Sequence, residues 1–188
     1  MVAENIPGYS GFLWLYDEAV ATAAHGETFV EVGLGIGHSL SYLASKVIAA
    51  KKNIVVYGVD PFNGDGRNGE QQAMLGEKKD GDCVTFLDLM MANARTELDM
   101  VRLLRAPSVV ASRMFGDESV GLVLIDGSHQ EADVFDDIGA WWPKVKRGGI
   151  LAGDDHCAPH DGVEAACRRH DAIRGYGVRG NTWYKVKS

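Results

Sequence analysis

The sequence predicts an α/β fold: a parallel sheet covered by helices on both faces, built as one domain. Short apolar runs alternate with amphipathic stretches along the chain, as strands buried on both faces and their crossover helices do. A cluster of glycines falls between the first apolar run and the helix-like stretch that follows it. The length of 188 residues suits one well-buried domain and falls short of two ordinary ones.

Tyr9 to Ala24 reads as a helix, with Phe12, Leu15, Tyr16, Ala19 and Val20 at helical spacing. Thr28 to Val32 is the first strand and Ser39 to Ala50 the helix after it. Asn53 to Val59 is a second strand that runs into Asp60-Pro61. The stretch 62–82 is polar, with five glycines from Gly64 to Gly81, and a loop that long is functional or mobile. A helix over 84–97 leads to a third strand, Val101 to Arg105, and a short helix, Pro107 to Phe115. Val120 to Asp126 is the fourth strand. Gln130 to Val145 is a helix with Val134, Ile138, Trp141 and Val145 on one stripe, so Trp141 is a packing residue. Gly148-Gly149 is expected to end it, and Gly149 to Gly153 to be the fifth strand. A helix near Gly162 to Ile173 precedes two closing strands, Gly175 to Arg179 and Thr182 to Val186.

Composition narrows the ligands. A hydrophobic content of 46% and a charged content of 24% are ordinary for a soluble domain. A net charge of −7 argues against nucleic acid as a main partner, because phosphate binding needs surplus Lys and Arg. Cys83, Cys157 and Cys167 are odd in number and show no C-x-x-C spacing, which fits a reducing cytoplasm. No apolar run approaches the roughly 20 residues that span a bilayer, and no secretory signal is visible. A cytoplasmic protein acting on small molecules is expected, with no membrane partner; homo-oligomerisation stays open.

The glycines lie in Glu31-Val32-Gly33-Leu34-Gly35-Ile36-Gly37. Glycines between a strand and a helix let backbone approach a ligand, and the helix offers free N–H groups. A dinucleotide fingerprint, G-x-G-x-x-G, would need glycine where His38 stands. What remains is an acid, one residue, then glycine at every second position. This resembles motif I of the class I methyltransferases that use S-adenosyl-L-methionine (SAM). The resemblance implies that Gly33, Gly35 and Gly37 line the methionine part of SAM. It implies that Glu31 orders the loop and meets the amino group, and that Ser39 holds the carboxylate. Asp60 would accept both ribose hydroxyls, which suits a carboxylate. Ala106 and Ser108 would lie near the adenine, and His38 would cap or line the pocket.

A second constellation follows. Ile125-Asp126-Gly127-Ser128-His129 ends the fourth strand and Gly153-Asp154-Asp155-His156 the fifth. Neighbouring parallel strands place these ends side by side at the carboxyl edge of the sheet. Three carboxylates converging there repel one another unless a cation sits between them, and oxygen ligands favour Mg²⁺, Mn²⁺ or Ca²⁺. The stretch I-D-G-S-H, with W-W-P-K-V-K-R-G-G-I-L-A-G-D-D-H after it, resembles the methyltransferase 24 family. These are metal-dependent O-methyltransferases related to macrolide-sugar and cephalosporin-pathway enzymes.

The resemblance implies a Rossmann-like doubly wound seven-stranded sheet with the last strand antiparallel. It implies metal ligands at Asp126, Asp154 and Asp155, a general base at His129, and a hydroxylated small molecule, sugar or catechol-like, as methyl acceptor. Other readings stand beside these. Asp126 serves as a SAM or substrate contact in metal-free relatives, Asp154-Asp155 could cap the next helix, and His129 could be a ligand or a substrate contact. His156 and His160 could contribute, although solvated loop histidines are commoner. Trp14, Tyr16 and Arg67 are candidates for acceptor contacts. A metal-independent methyltransferase and a non-catalytic SAM-binding subunit are the competing functions.

Overall fold

Period-two alternation within the apolar runs decides which helical layer each strand side chain meets. The computed structural model describes residues 11–62 and 101–188. The expected helix over 84–97, and the expected loop beyond Phe62, lie outside the described residues. Strands β1 (Thr28–Val32), β2 (Val55–Asp60), β3 (Val101–Arg105), β4 (Val120–Ile125), β5 (Val145–Gly153), β6 (Gly177–Arg179) and β7 (Thr182–Val186) form one sheet. Their order is β3-β2-β1-β4-β5-β7-β6. The first five are parallel, and β7 runs antiparallel to both β5 and β6.

Among the described residues five helices cover the sheet: α1 (Leu13–Thr22), α2 (His38–Ala50), α3 (Ser108–Ser112), α4 (Glu131–Trp141) and α5 (Asp161–Arg169). Phe29, Leu122 and Leu124 point to one face and pack with Leu15 of α1 and Leu40 and Leu43 of α2. Val30, Val123 and Ile125 point to the other and pack with Ala111 of α3, Ile138 and Trp141 of α4, and Val163 of α5. Each such buried Val, Leu, Ile or Phe side chain contributes about 1.5–3 kcal/mol relative to exposure. The result is the expected Rossmann-like doubly wound sheet with its last strand antiparallel.

Two helices end four residues short of expectation. The helix after β4 ends at Trp141, and Trp142–Lys144 form a 3₁₀ turn. Pro143 explains this: it lacks an N–H, and its ring would clash with the carbonyl four residues earlier. Val145 therefore opens β5, and Gly148, at φ 73°, lies within that strand rather than ending a helix. The β4–β5 register shifts there, between Val120 and Leu122. The second difference is at α5, which stops at Arg169 and is followed by a separate 3₁₀ turn, Asp171–Ile173.

The strand order places the site. From β1 the chain winds outward through β2 and β3, then returns to lay β4 against the other side of β1. Such a reversal opens a crevice at the carboxyl ends of the two central strands, where α/β sheets bind ligands. Among the described residues no helix is long and apolar enough to cross a membrane.

Candidate active site

Gly33 leaves β1 at the reversal with φ 82°. A Cβ there would lie 2.1 Å from the carbonyl oxygen of Asp126, so only glycine lets the two loops meet. Gly37, at φ 86°, is the N-cap of α2. That helix has no side-chain cap and no acidic residue in its first turn. Its N-terminal partial charge suits a ligand anion.

Glu31 is fully buried beneath this loop. Ser39 Oγ donates to its Oε1, and Tyr16 Oη donates to its Oε2 at 2.6 Å. Burial pushes the carboxyl up to about 7, although both hydrogen bonds oppose the shift. The Tyr16 phenol is likewise raised, by burial first and then by the Glu31 charge. Glu31 thus ties α1 to α2 under the loop, and the Ser39 hydroxyl serves Glu31. At the end of β2, Asp60 Oδ2 accepts from the Leu34 N–H at 3.0 Å and Oδ1 from the Phe62 N–H at 2.6 Å. Each oxygen keeps a lone pair, so an oriented bidentate acceptor remains.

The two residues expected near the adenine are already engaged. The Ala106 N–H bonds the Asp60 carbonyl at 3.2 Å. Ser108 Oγ accepts from Trp141 Nε1 at 2.9 Å. Ser108 also bonds Asp137, whose carboxyl burial raises to about 6. Its side chain belongs to the α3–α4 contact in this conformation.

The acids sit where the strand pairing puts them. The Asp126 N–H bonds the Val32 carbonyl at 2.8 Å, and the Asp154 N–H bonds the Ile125 carbonyl at 3.2 Å. A narrow cleft opens between them, lined by Asp126, His129 and Asp154 with Val134, Val163 and Trp183 as apolar walls. Asp154 is buried, and Thr182 Oγ1 donates to it at 3.4 Å. Burial, followed by the charges of Asp154, Asp155 and Glu31, holds the Asp126 carboxyl well above the usual range. Asp154 is raised as well, again by burial first.

Asp155 behaves oppositely. Its Oδ2 lies 2.7 Å from His129 Nε2, and this hydrogen bond lowers the acid and raises the imidazole. His160 Nε2 lies 3.8 Å from Asp155 Oδ1, and the two imidazole rings are 4.1 Å apart. The donor atoms of His129, Asp155 and His160 all lie within 4.8 Å of one another. Asp126 and Asp154 stand outside that group but share its field. Neither Asp154 nor Asp155 caps α5, which starts at Asp161 behind His160. Carboxylate oxygens and imidazole nitrogens crowded with surplus negative charge suit a divalent cation.

Of the remaining candidates, Tyr16 is fully buried on Glu31 and cannot touch an acceptor. Trp14 packs edge-on against Tyr184 under the Arg179 guanidinium. His156 is paired with the Tyr176 hydroxyl at 2.9 Å. Arg67 is outside the described residues, and Trp141 is core. Sequence reading missed the Tyr16–Glu31 pair, Thr182 and the pairing of His160 with Asp155. No local spacing announces any of them, since each joins separate elements.

A reversal point with a glycine loop on one strand, and acids closing the next two, defines an α/β enzyme with a cofactor pocket. The chain belongs to the methyltransferase 24 family, whose methyltransferase-domain model matches residues 30–156. It is a SAM-dependent methyltransferase. The O-methyltransferase NovP is similar in structure, with a TM-score of 0.68 and 20% identity over 94% of this chain and 79% of that one. CalS11, a TDP-rhamnose 3′-O-methyltransferase of calicheamicin biosynthesis, gives a TM-score of 0.60 and 16% identity over 93% of this chain and 76% of that one. TrmN from Thermus thermophilus gives 0.61 and 17%, over all of this chain and 52% of that one. At these identities the likeness shows the fold alone. No curated protein matches the sequence.

Proposed function

We propose that the protein methylates a hydroxyl oxygen of a small molecule, a sugar or a catechol-like compound, with the help of a divalent metal. One observation carries the reading: Gly33 of the cofactor loop is pressed against the main chain of Asp126. The acids therefore stand beside the place where a bound SAM presents its methyl group. NovP and CalS11 are O-methyltransferases, the latter acting on a sugar nucleotide, which supports an oxygen acceptor. The net charge of −7 disfavours a nucleic acid substrate.

In this reading the glycine loop and the α2 N-terminus hold the methionine part of the cofactor, Glu31 orders that loop from beneath, and Asp60 holds the ribose. SAM supplies the reactive carbon, and the protein supplies alignment and electrostatics. Asp126, Asp154 and Asp155 would hold the cation, which supplies positive charge that acidifies and orients the acceptor hydroxyl. His129, steered by Asp155, receives the hydroxyl proton; an imidazole is suited to this near neutral pH. Val134, Val163 and Trp183 exclude water from the cleft.

The test is methyl transfer to a panel of sugars and catechols, followed as release of S-adenosylhomocysteine. Asp154→Ala, or a chelator, should abolish turnover while leaving SAM binding within about twofold, since these groups touch the cofactor little. Full activity in excess EDTA would overturn the metal and leave the carboxylates gripping the substrate directly.

A further inference from the structure

We propose that His160 is a nitrogen ligand of the divalent ion in this site, so that the site prefers a borderline ion such as Co²⁺ or Fe²⁺ to Mg²⁺. The inference rests on the reading of Asp155 as a metal ligand.

The two oxygens of Asp155 face different tasks. Oδ2 is hydrogen-bonded to His129 Nε2 at 2.7 Å. Oδ1 faces His160 Nε2 at 3.8 Å, too long for a hydrogen bond. Two donors held by one ion at about 2.1 Å each are roughly 3.0 Å apart at a right angle and roughly 3.6 Å apart at 120°. At 3.8 Å the His160 spacing lies near the wider of these values and leaves room for an ion between the two donors.

The backbone that carries His160 is fixed on that side. Its backbone N–H donates to the Cys157 carbonyl at 2.7 Å, and its carbonyl accepts from the Val163 N–H at 3.0 Å. The next glycine, Gly162, is pressed on the His129 loop: a Cβ there would lie 2.4 Å from the His129 carbonyl oxygen. The imidazole stands at the N-cap of α5 yet makes no capping hydrogen bond. Mg²⁺ is bound through oxygen, whereas imidazole suits later first-row ions.

The experiment titrates the metal-free full chain with Co²⁺ and with Mg²⁺, alone and in competition, reading the Co²⁺ visible spectrum and the binding isotherms. Wild type should hold Co²⁺ at least about tenfold tighter than Mg²⁺. His160→Ala should lose most of that preference, change the Co²⁺ spectrum and keep its Mg²⁺ affinity. Its melting curve should match wild type, because no cap is lost. His160→Gln, with an amide oxygen instead of the imidazole nitrogen, should lose the preference in the same way. A His160→Ala protein that binds Co²⁺ with wild-type affinity and spectrum overturns this inference alone. Asp155→Asn binding both ions like wild type overturns the metal reading of Asp155, and this inference with it.

Discussion

Single residues carry the strongest constraints in this molecule. Gly33 combines a left-handed φ with a Cβ position 2.1 Å from the Asp126 carbonyl oxygen. Gly33→Ala should cost at least on the order of 1–3 kcal/mol in strain alone. Thermal denaturation should show a lower midpoint, and SAM affinity should fall with it. Asp137 offers a pH test. Its folded value of about 6 lies above the ordinary 3.8, so the native state holds the extra proton between these values. Stability should therefore decline as pH rises through that window. Asp137→Asn should be more stable than wild type at pH 7 by about 1–2 kcal/mol, with the gap closing below about pH 4. Melting curves measured from pH 3.5 to 8 check the sign. The glycine spacing was legible because φ and close approach restrict the residue type itself. The Tyr16–Glu31 bond was not, because both residues read equally well as packing and as ligand contact.

At the level of elements, amphipathic spacing located each described helix, and the ends went astray where one residue overruled the pattern. Pro143 breaks a stripe that Val145 continues in spacing alone, since side-chain periodicity carries no information about a missing N–H. The C-terminus of α1 shows another device that the pattern hides. Lys52 Nζ donates to the carbonyls of Val20, Ala21 and Ala23 at 2.6, 2.8 and 2.8 Å. One ammonium thus satisfies carbonyls that the helix end leaves open and complements its dipole. Lys52→Met should destabilise the protein by about 1–2 kcal/mol without changing kcat, since the group lies far from the cleft. A denaturant midpoint measured beside the turnover number would show whether both halves of that statement hold.

For the molecule as a whole, alternation of apolar runs and helices predicted a doubly wound sheet, while the strand order was beyond local reading. That β4 returns to β1, and that β7 slips between β5 and β6, depends on contacts between segments far apart in the chain. The same limit hid the partner of His160, which meets Asp155 because α5 begins against the His129 loop. Cofactor choice is a global test: SAM at a hundred times its Kd should stabilise the fold by about 2.7 kcal/mol, and NAD should give no shift. Stabilisation by NAD alone would contradict the family's cofactor. The backbone stacking of Gly33 on Asp126 also bears on how the protein opens. The Gly33 amide bonds Val59, the Asp126 amide bonds Val32 and the Asp154 amide bonds Ile125, one strand handing on to the next. These three amides should exchange with solvent deuterium at a common rate, as a single cooperative unit. The methyl donor's seat and the acceptor's seat would then be gained and lost together.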